Sequence, residues 1–298
     1  MQFAAQKIGW GVPAVFEAAV HSLFRSAAIL AVPGHGLVTL VPAKAGGLPG
    51  ALTIGVPAGF DFAKAFDPEW RAAVRGGVLR FSGGVASVDL RTAVPWRSRL
   101  AALQLDLNKP AQRRAWERAS RILSADRRSD AFVRIARRPL RALLDATSAF
   151  DAARAKRAMA ELVGLGAGGT PAGDDFLVGF LVALRATAGW AEETRGDFLA
   201  ALCRQTKALL SKTNDVSRVY LAAAAEGEVS ERLTGLAAAI AAGSGASTVG
   251  DAAGAAIVVG HTSGADGTLG LLLGAAAWGP EALARSAVSL IEELPAEV

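Results

Sequence analysis

Residues 164–179 of this 298-residue chain read GLGAGGTPAGDDFLVG, which packs six glycines, one proline and two adjacent aspartates into an alanine-rich stretch. Glycine inside a helix costs about 1 kcal/mol relative to alanine, so this density calls for either a bend or a site. A second polar stretch, HTSGADGTLG, gathers His261, Thr262, Ser263 and Asp266 within six residues. Set without a gap against the first, it brings Gly173 onto Gly264, Asp175 onto Asp266, Gly179 onto Gly270 and Leu181 onto Leu272. Each copy then has a flexible loop, an aspartate near a helix start and a glycine one turn further along the same face. The helix dipole favours the aspartate there. The glycine clears the surface beside it for another helix or a ligand.

The segments that follow, FLVGFLVAL and TLGLLLGAAA, are apolar on every side, as buried helices are. Their first N–H groups need partners inside the protein, which is the setting of an anion site. Carboxylates compete with an anion for those amides unless they cap the helix, receive a ligand's N–H or hydroxyl, or hold a cation such as Mg²⁺. Close helix packing and ordinary capping explain either copy alone. Their repetition argues for a two-sided site with Asp175, Asp266 and His261 among its candidate residues. Gly166, Gly168, Thr170, Gly173, Asp174, Thr262, Ser263 and Gly264 would then bind the ligand. GLGAGGT is neither a P-loop nor a dinucleotide fingerprint, since it lacks the Gly-Lys-Ser/Thr ending and a preceding strand. Thr170-Pro171 could serve as N-cap and first helical residue, putting Gly173 and Asp174 in the opening turns; the sequence leaves the helix start open. A third polar segment, SKTNDVSR, adds Thr213, Ser217 and Arg218, although it also reads as a plain capping region.

Strands and helices must hold these residues. From Ala27 to about Leu105, short apolar runs are punctuated by glycine and proline (AAILAVPGHGLVTLVP, ALTIGVP, VLRFSGGVASVDL), and these predict strands. Residues 12–25 read as a helix, and FDFAKAFDPEWRAAVRGG as a short helical excursion. From Lys109 onward the pattern is helical, broken at Pro139, the glycine stretch, LLSKTND, AAGSGAST and VVGHTSGADG. The expectation is an α+β protein with a strand-rich part (1–107) followed by a helical part (108–298) with two buried central helices, together one compact unit.

Composition narrows the class. With 52% hydrophobic residues the chain can bury a sizeable core. No apolar run reaches the roughly 20 residues that span a bilayer, and the N-terminus lacks the apolar core of an export signal, so a cytoplasmic protein without membrane contact is expected. The single Cys203 excludes an internal disulfide and a cysteine zinc site, and it fits a core position. His21 and His35 have no polar company, which leaves no three-histidine metal site. The net charge of +5 is concentrated in residues 113–141, which hold ten arginines. Interleaved acids and apolar residues there predict two amphipathic helices with solvated arginine faces rather than a nucleic-acid interface.

The same residues resemble a bacterial family typified by the AllH subunit of oxamate carbamoyltransferase. Its hallmark is a Gly-Leu-Gly-x-Gly-x-Thr-Pro-x-Gly-Asp-Asp-Phe-Leu-x-Gly loop, a later Thr-x-x-x-Ser segment and a Gly-His-x-Ser-Gly-x-Asp loop. Here these look like residues 164–179, Thr213 with Ser217, and residues 260–266. The chain has Ala167, Gly169 and Ala172 where the loop usually carries Pro, Leu and Ser. The resemblance implies a carbamoyltransferase subunit of allantoin breakdown that works with other subunits and interconverts oxalurate and phosphate with oxamate and carbamoyl phosphate. It needs no cofactor, though Mg²⁺ is possible. The glycine loop and helix starts would hold the anionic substrate, the aspartates would orient amide N–H groups, His261 would relay a proton or donate to an oxyanion, and Arg218 would meet a carboxylate. Two other readings compete. One is a hydrolase or phosphotransferase whose Mg²⁺ or Mn²⁺ sits among Asp174, Asp175 and Asp266. The other is a non-enzymatic regulator that binds a small ligand or nucleic acid.

Overall fold

The computed structural model describes residues 1–98, 100–188 and 193–292. The chain is α+β and divides into two compact units, 1–98 and 99–298. Among the described residues the first unit holds nine strands: β1 Gln2–Gly9, β2 Glu17–Phe24, β3 Ala27–Val32, β4 Gly36–Pro42, β5 Ala51–Ile54, β6 Arg71–Arg75, β7 Val78–Phe81, β8 Ser87–Asp89 and β9 Val94–Trp96. They follow the order β5-β4-β3-β2-β6-β7-β8-β1, and β1 pairs back onto β5, so eight strands close into a barrel that leaves no free edge. The ninth, β9, runs parallel to the end of β1. One short helix, α1 Phe62–Ala65, interrupts the strands and is capped by the Asp61 side chain. A Gly76-Gly77 turn with φ of 60° and 71° joins β6 to β7, the left-handed pair that a two-residue hairpin requires. Leu30, Leu40, Leu52, Ile54, Phe62 and Leu79 fill the interior.

Residues 12–25, expected as a helix, instead supply β2, which pairs antiparallel with β3 on one side and β6 on the other. Phe16 and Ala18 point inward in a two-residue alternation, and the need to complete the sheet overrides the helix preference of the alanines and glutamate. The expected excursion shrinks to α1, after which RAAVR is the strand β6.

The second unit is helical: α2 Pro110–Ala125, α3 Asp130–Ser148, α4 Ala152–Leu162, α5 Ala172–Ala188, α6 Glu193–Leu209, α7 Asp215–Ala225, α8 Glu231–Ala241, α9 Ala246–Ile257, α10 Ser263–Ala277 and α11 Glu281–Glu292. Pro139 does not break the chain direction as expected; it lies buried within α3, at the cost of one backbone hydrogen bond to the preceding turn. The arginine-rich segment forms the two amphipathic helices α2 and α3. Several of its arginines meet acids, including Arg128 with Asp126, Arg138 with Glu161 and Arg141 with Asp145.

The two apolar helices α5 and α10 are buried almost throughout and pack on each other. They run in the same direction: Gly267 lies beside Asp175, Gly270 against Phe176 and Phe180, and Gly274 against Phe180 and Ala183. The aligned glycines are the crossing point. A Cβ on Gly179 would stand 1.8 Å from the Gly267 carbonyl oxygen, and one on Gly270 would stand 2.0 Å from that of Phe176. In the sequence alignment Phe176 is the counterpart of Gly267, so the two close approaches mirror each other. The mirror extends outward. Gly173 abuts the Leu162 carbonyl at the end of α4, and Gly264 abuts the Ala256 carbonyl near the end of α9. Trp116 of α2 keys into this core by donating its indole N–H to the Leu272 carbonyl at 2.9 Å. Among the described residues no helix is long and apolar enough to cross a membrane.

Candidate functional site

Because α5 and α10 run together, their N-termini open side by side, and both positive dipole ends face the same region. Helix α5 starts at Ala172, with the Asp174 and Asp175 N–H groups both bonded to the Pro171 carbonyl, so the earlier of the two possible starts is the one used. Ahead of it, residues 166–169 form an exposed glycine loop in which Gly166 and Gly168 have φ of 113° and 107°. The loop is tied to the second copy by one bond: the Thr170 and Ser263 hydroxyls lie 2.7 Å apart. Ser263 is the first residue of α10, and Thr262 before it is the N-cap, although its side chain does not close the cap.

The adjacent aspartates of α5 turn to different partners. Asp174 is buried and faces back into the helical core. It accepts the Gly164 N–H at 2.8 Å on one oxygen and the Thr213 hydroxyl on the other. Burial raises its pKa, and these two donors, with the nearby Ser217 hydroxyl, oppose the rise. The Thr-x-x-x-Ser segment thus converges on Asp174: Thr213 bonds it directly, and Ser217, in the first turn of α7, stands close. Asn214 caps α7 by accepting the Ser217 N–H. Arg218, one residue on, uses its guanidinium locally, donating to the Leu210 and Thr213 carbonyls and pairing with Asp215 at 3.1 Å.

Asp175 faces the joint between the two copies. Its residue surface is only partly covered, yet Oδ2 is buried and has no hydrogen-bond partner. Burial pushes its pKa up to about 7; the Ser263 and Thr170 hydroxyls pull it down, while the charges of Asp266 and Asp174 push it further up. Asp266, its counterpart on α10, is fully buried, and the Ser129 and Thr262 hydroxyls beside it stop short of a well-formed hydrogen bond. Burial raises its pKa to about 6 against the pull of the Ser129 and Thr262 hydroxyls. Two carboxyls that titrate near neutrality can each give or take a proton, the property a general acid or base needs. A neutral carboxyl at a helix start also removes the conflict with a bound anion, because it donates to the anion instead of repelling it.

His261 lies exposed on the turn between α9 and α10, one residue before Thr262. The structure therefore brings together Thr170, Asp175, Ser263 and Asp266. Thr213, Ser217 and Asp174 form a separate buried cluster behind them, and His261, Gly166 and Gly168 lie on the exposed side. The three carboxyls do not converge as a cation cage would need: Asp174 faces Gly164 and Thr213, Asp175 faces Thr170 and Ser263, and Asp266 faces Ser129 and Thr262. Among the described residues no group of three or more His, Cys, Asp or Glu is placed to hold a metal ion. Ser129 is the residue sequence reasoning missed. It stands at the N-cap of α3 without capping it, and its buried hydroxyl lies beside the Asp266 carboxyl. Its signal was a serine directly before the apolar repeat DAFVRIA, hidden within the arginine-rich stretch.

No curated protein and no solved structure matches the chain. Residues 162–275, which carry every element of this arrangement except Ser129, match the family described as oxamate carbamoyltransferase subunit AllH.

Proposed function

We propose that the protein is a subunit of a carbamoyltransferase-type enzyme and that the joint between the α5 and α10 N-termini receives its small anionic substrate. The observation that carries this reading is the pair Asp175 and Asp266, held near neutral pKa where two helix dipoles meet beside the Thr170–Ser263 bond. The family match over residues 162–275 supports the reaction class. For transfer between oxalurate and phosphate, a phosphate oxygen attacks the terminal ureido carbonyl, the bond from that carbon to the inner nitrogen breaks, and oxamate leaves. The phosphate hydroxyl gives up one proton and the leaving nitrogen takes one up, so the reaction needs a relay and no net acid. Asp175 is suited to that relay by its titration near neutrality, with His261 at the exposed rim as a second proton carrier. The helix N–H groups and the exposed glycine loop hold the anionic end and stabilise the developing oxyanion.

The test is an assay of the purified chain together with the proteins encoded beside it. Oxalurate cleavage that depends on phosphate and yields carbamoyl phosphate is the expected result. Lack of activity in the complete set, together with no binding of carbamoyl phosphate, defeats the proposal.

A further inference from the structure

The outer face of the barrel carries a hollow of about 570 Å³ over β2, β3, β6 and β7. Its floor is made by alanines that face outward. Ala18, Ala72 and Phe81 belong to the barrel interior, so their strand neighbours Ala19, Ala73 and Arg80 point away from it, as does Ala31 between the inward Leu30 and Val32. Pairing sets Ala31 opposite Ala19, and Ala19 opposite Arg71. Alanine is a poor strand residue, and here it gives up the cross-strand side-chain contacts that stabilise a sheet face. Charge collects around this floor. Ala73 has Arg71 and Arg75 two residues away on its own strand, Arg80 opposite it on β7 and Glu17 opposite it on β2. Glu17 is engaged by Arg75 at 3.1 Å, while Arg80 donates to the Arg75 carbonyl at 3.3 Å. Among the described residues neither Arg71 nor Arg80 meets an acid. The hollow thus joins an apolar floor to two guanidinium groups whose charge the chain leaves unmatched. An inorganic anion would leave the floor wet, and an uncharged apolar molecule would leave the arginines unmatched.

The geometry points to this hollow as a binding site for a small amphiphilic carboxylate, its head held by Arg71 and Arg80 and its apolar body laid over Ala19 and Ala31 toward Val32 and Pro33. The planar guanidinium matches the two carboxylate oxygens, and such a charged pair is stronger than a bond to a neutral oxygen. Covering the alanine methyl groups with the apolar body adds the hydrophobic share. The volume falls within the roughly 300–1,000 Å³ typical of small-molecule sites. All of the lining residues belong to the first unit, so the inference is independent of the joint between α5 and α10.

Decanoate, decylammonium and acetate separate the two requirements. The first two share a tail and differ in the sign of the head, and acetate has the head without the tail. Titration calorimetry on the full chain should show saturable decanoate binding, at least about tenfold tighter than that of either control. The double substitution Arg71→Gln and Arg80→Gln should weaken decanoate at least about fivefold by removing the charged partners. Ala19→Ile, which suits a strand and fills the floor, should weaken it by a similar factor of about five. Each variant is checked for fold by circular dichroism, and the comparison of the three probes in the unaltered protein decides the matter without any variant. Equal affinity for decanoate and decylammonium overturns the proposal, as does equally tight binding of acetate or the absence of saturable decanoate binding. Decanoate that binds the folded variants as well as the unaltered protein lies elsewhere on the chain, and that result overturns the assignment too.

Discussion

Asp174 and Asp266 occupy the first turns of neighbouring parallel helices and are almost equally hidden from water, yet they stand in opposite states. Asp174 receives a backbone N–H and a threonine hydroxyl; Asp266 has the Ser129 and Thr262 hydroxyls beside it, neither closing a well-formed bond. Burial penalises both charges, and the compensation differs in kind: Asp174 has a backbone N–H and the Thr213 hydroxyl bonded to it, whereas Asp266 has only the Ser129 and Thr262 hydroxyls beside it. A satisfied buried carboxyl fixes a loop. An unsatisfied one holds free energy that a ligand or a proton can release. The contrast separates the half of the motif whose carboxyl is held by backbone and threonine from the half whose carboxyl is not, although the sequence writes both in the same residues.

The comparison depends on the helix crossing that places both groups, so the largest effect should come from removing the crossing. Gly179→Ala puts a methyl carbon where the Gly267 carbonyl oxygen now stands 1.8 Å away, and backbone cannot yield as a side chain does. Loss of about 4 kcal/mol or more is expected, read by urea denaturation or as failure to fold. Next comes Asp174→Ala, which strands the Gly164 N–H and the Thr213 hydroxyl in the interior. About 3–4 kcal/mol of stability should disappear, and Thr213→Val should cost less because the Gly164 bond survives.

Asp266 should show itself in the pH dependence of stability. Its folded pKa, about 6, lies above its ordinary value of 3.8, so the native state holds its proton more tightly than the unfolded chain does. The stability that this contributes is fully present below about pH 4 and is lost as pH rises through about 6. By linkage the loss amounts to about 3 kcal/mol. Asp266→Asn should flatten this part of the stability profile measured by denaturation between pH 4 and pH 8, whereas Asp174→Ala should lower the profile, most at low pH where the protonated carboxyl costs least. An unchanged slope in Asp266→Asn would mean that the carboxyl finds a partner in solution and that the contrast with Asp174 is false.

Much of this was legible in the sequence, for identifiable reasons. The alignment of Gly179 with Gly270 marked the crossing because only glycine leaves room for a carbonyl oxygen at that distance. The all-round apolar composition of both segments marked two buried helices. Which of the adjacent aspartates would be satisfied could not be read, because that depends on Thr213 folding back from a distant segment. Ser129 was hidden for a related reason: its importance comes from standing beside Asp266, far along the chain. The strand β2 was misread because FEAAVHSLF suits a helix locally, and only the closure of the barrel, through pairing with β3 and β6, decides otherwise.

The smallest structural effect should come from His261, and that makes it the sharpest probe of where the chemistry lies. The side chain is exposed on the turn before α10, so His261→Ala should change stability by less than about 0.5 kcal/mol. Its kinetic effect has no such ceiling. If the imidazole carries the relayed proton, kcat in the complete assembly should fall by about 10²-fold or more with KM little changed, because a proton carrier acts in the transition state and not in ground-state binding. If kcat holds, the proton passes through Asp175 alone, and the pH profile of kcat/KM should then follow a group near pH 7 that survives the histidine substitution and vanishes in Asp175→Asn. The two results together tell whether the working surface of the proposed site extends to the exposed turn or stops at the buried carboxyls.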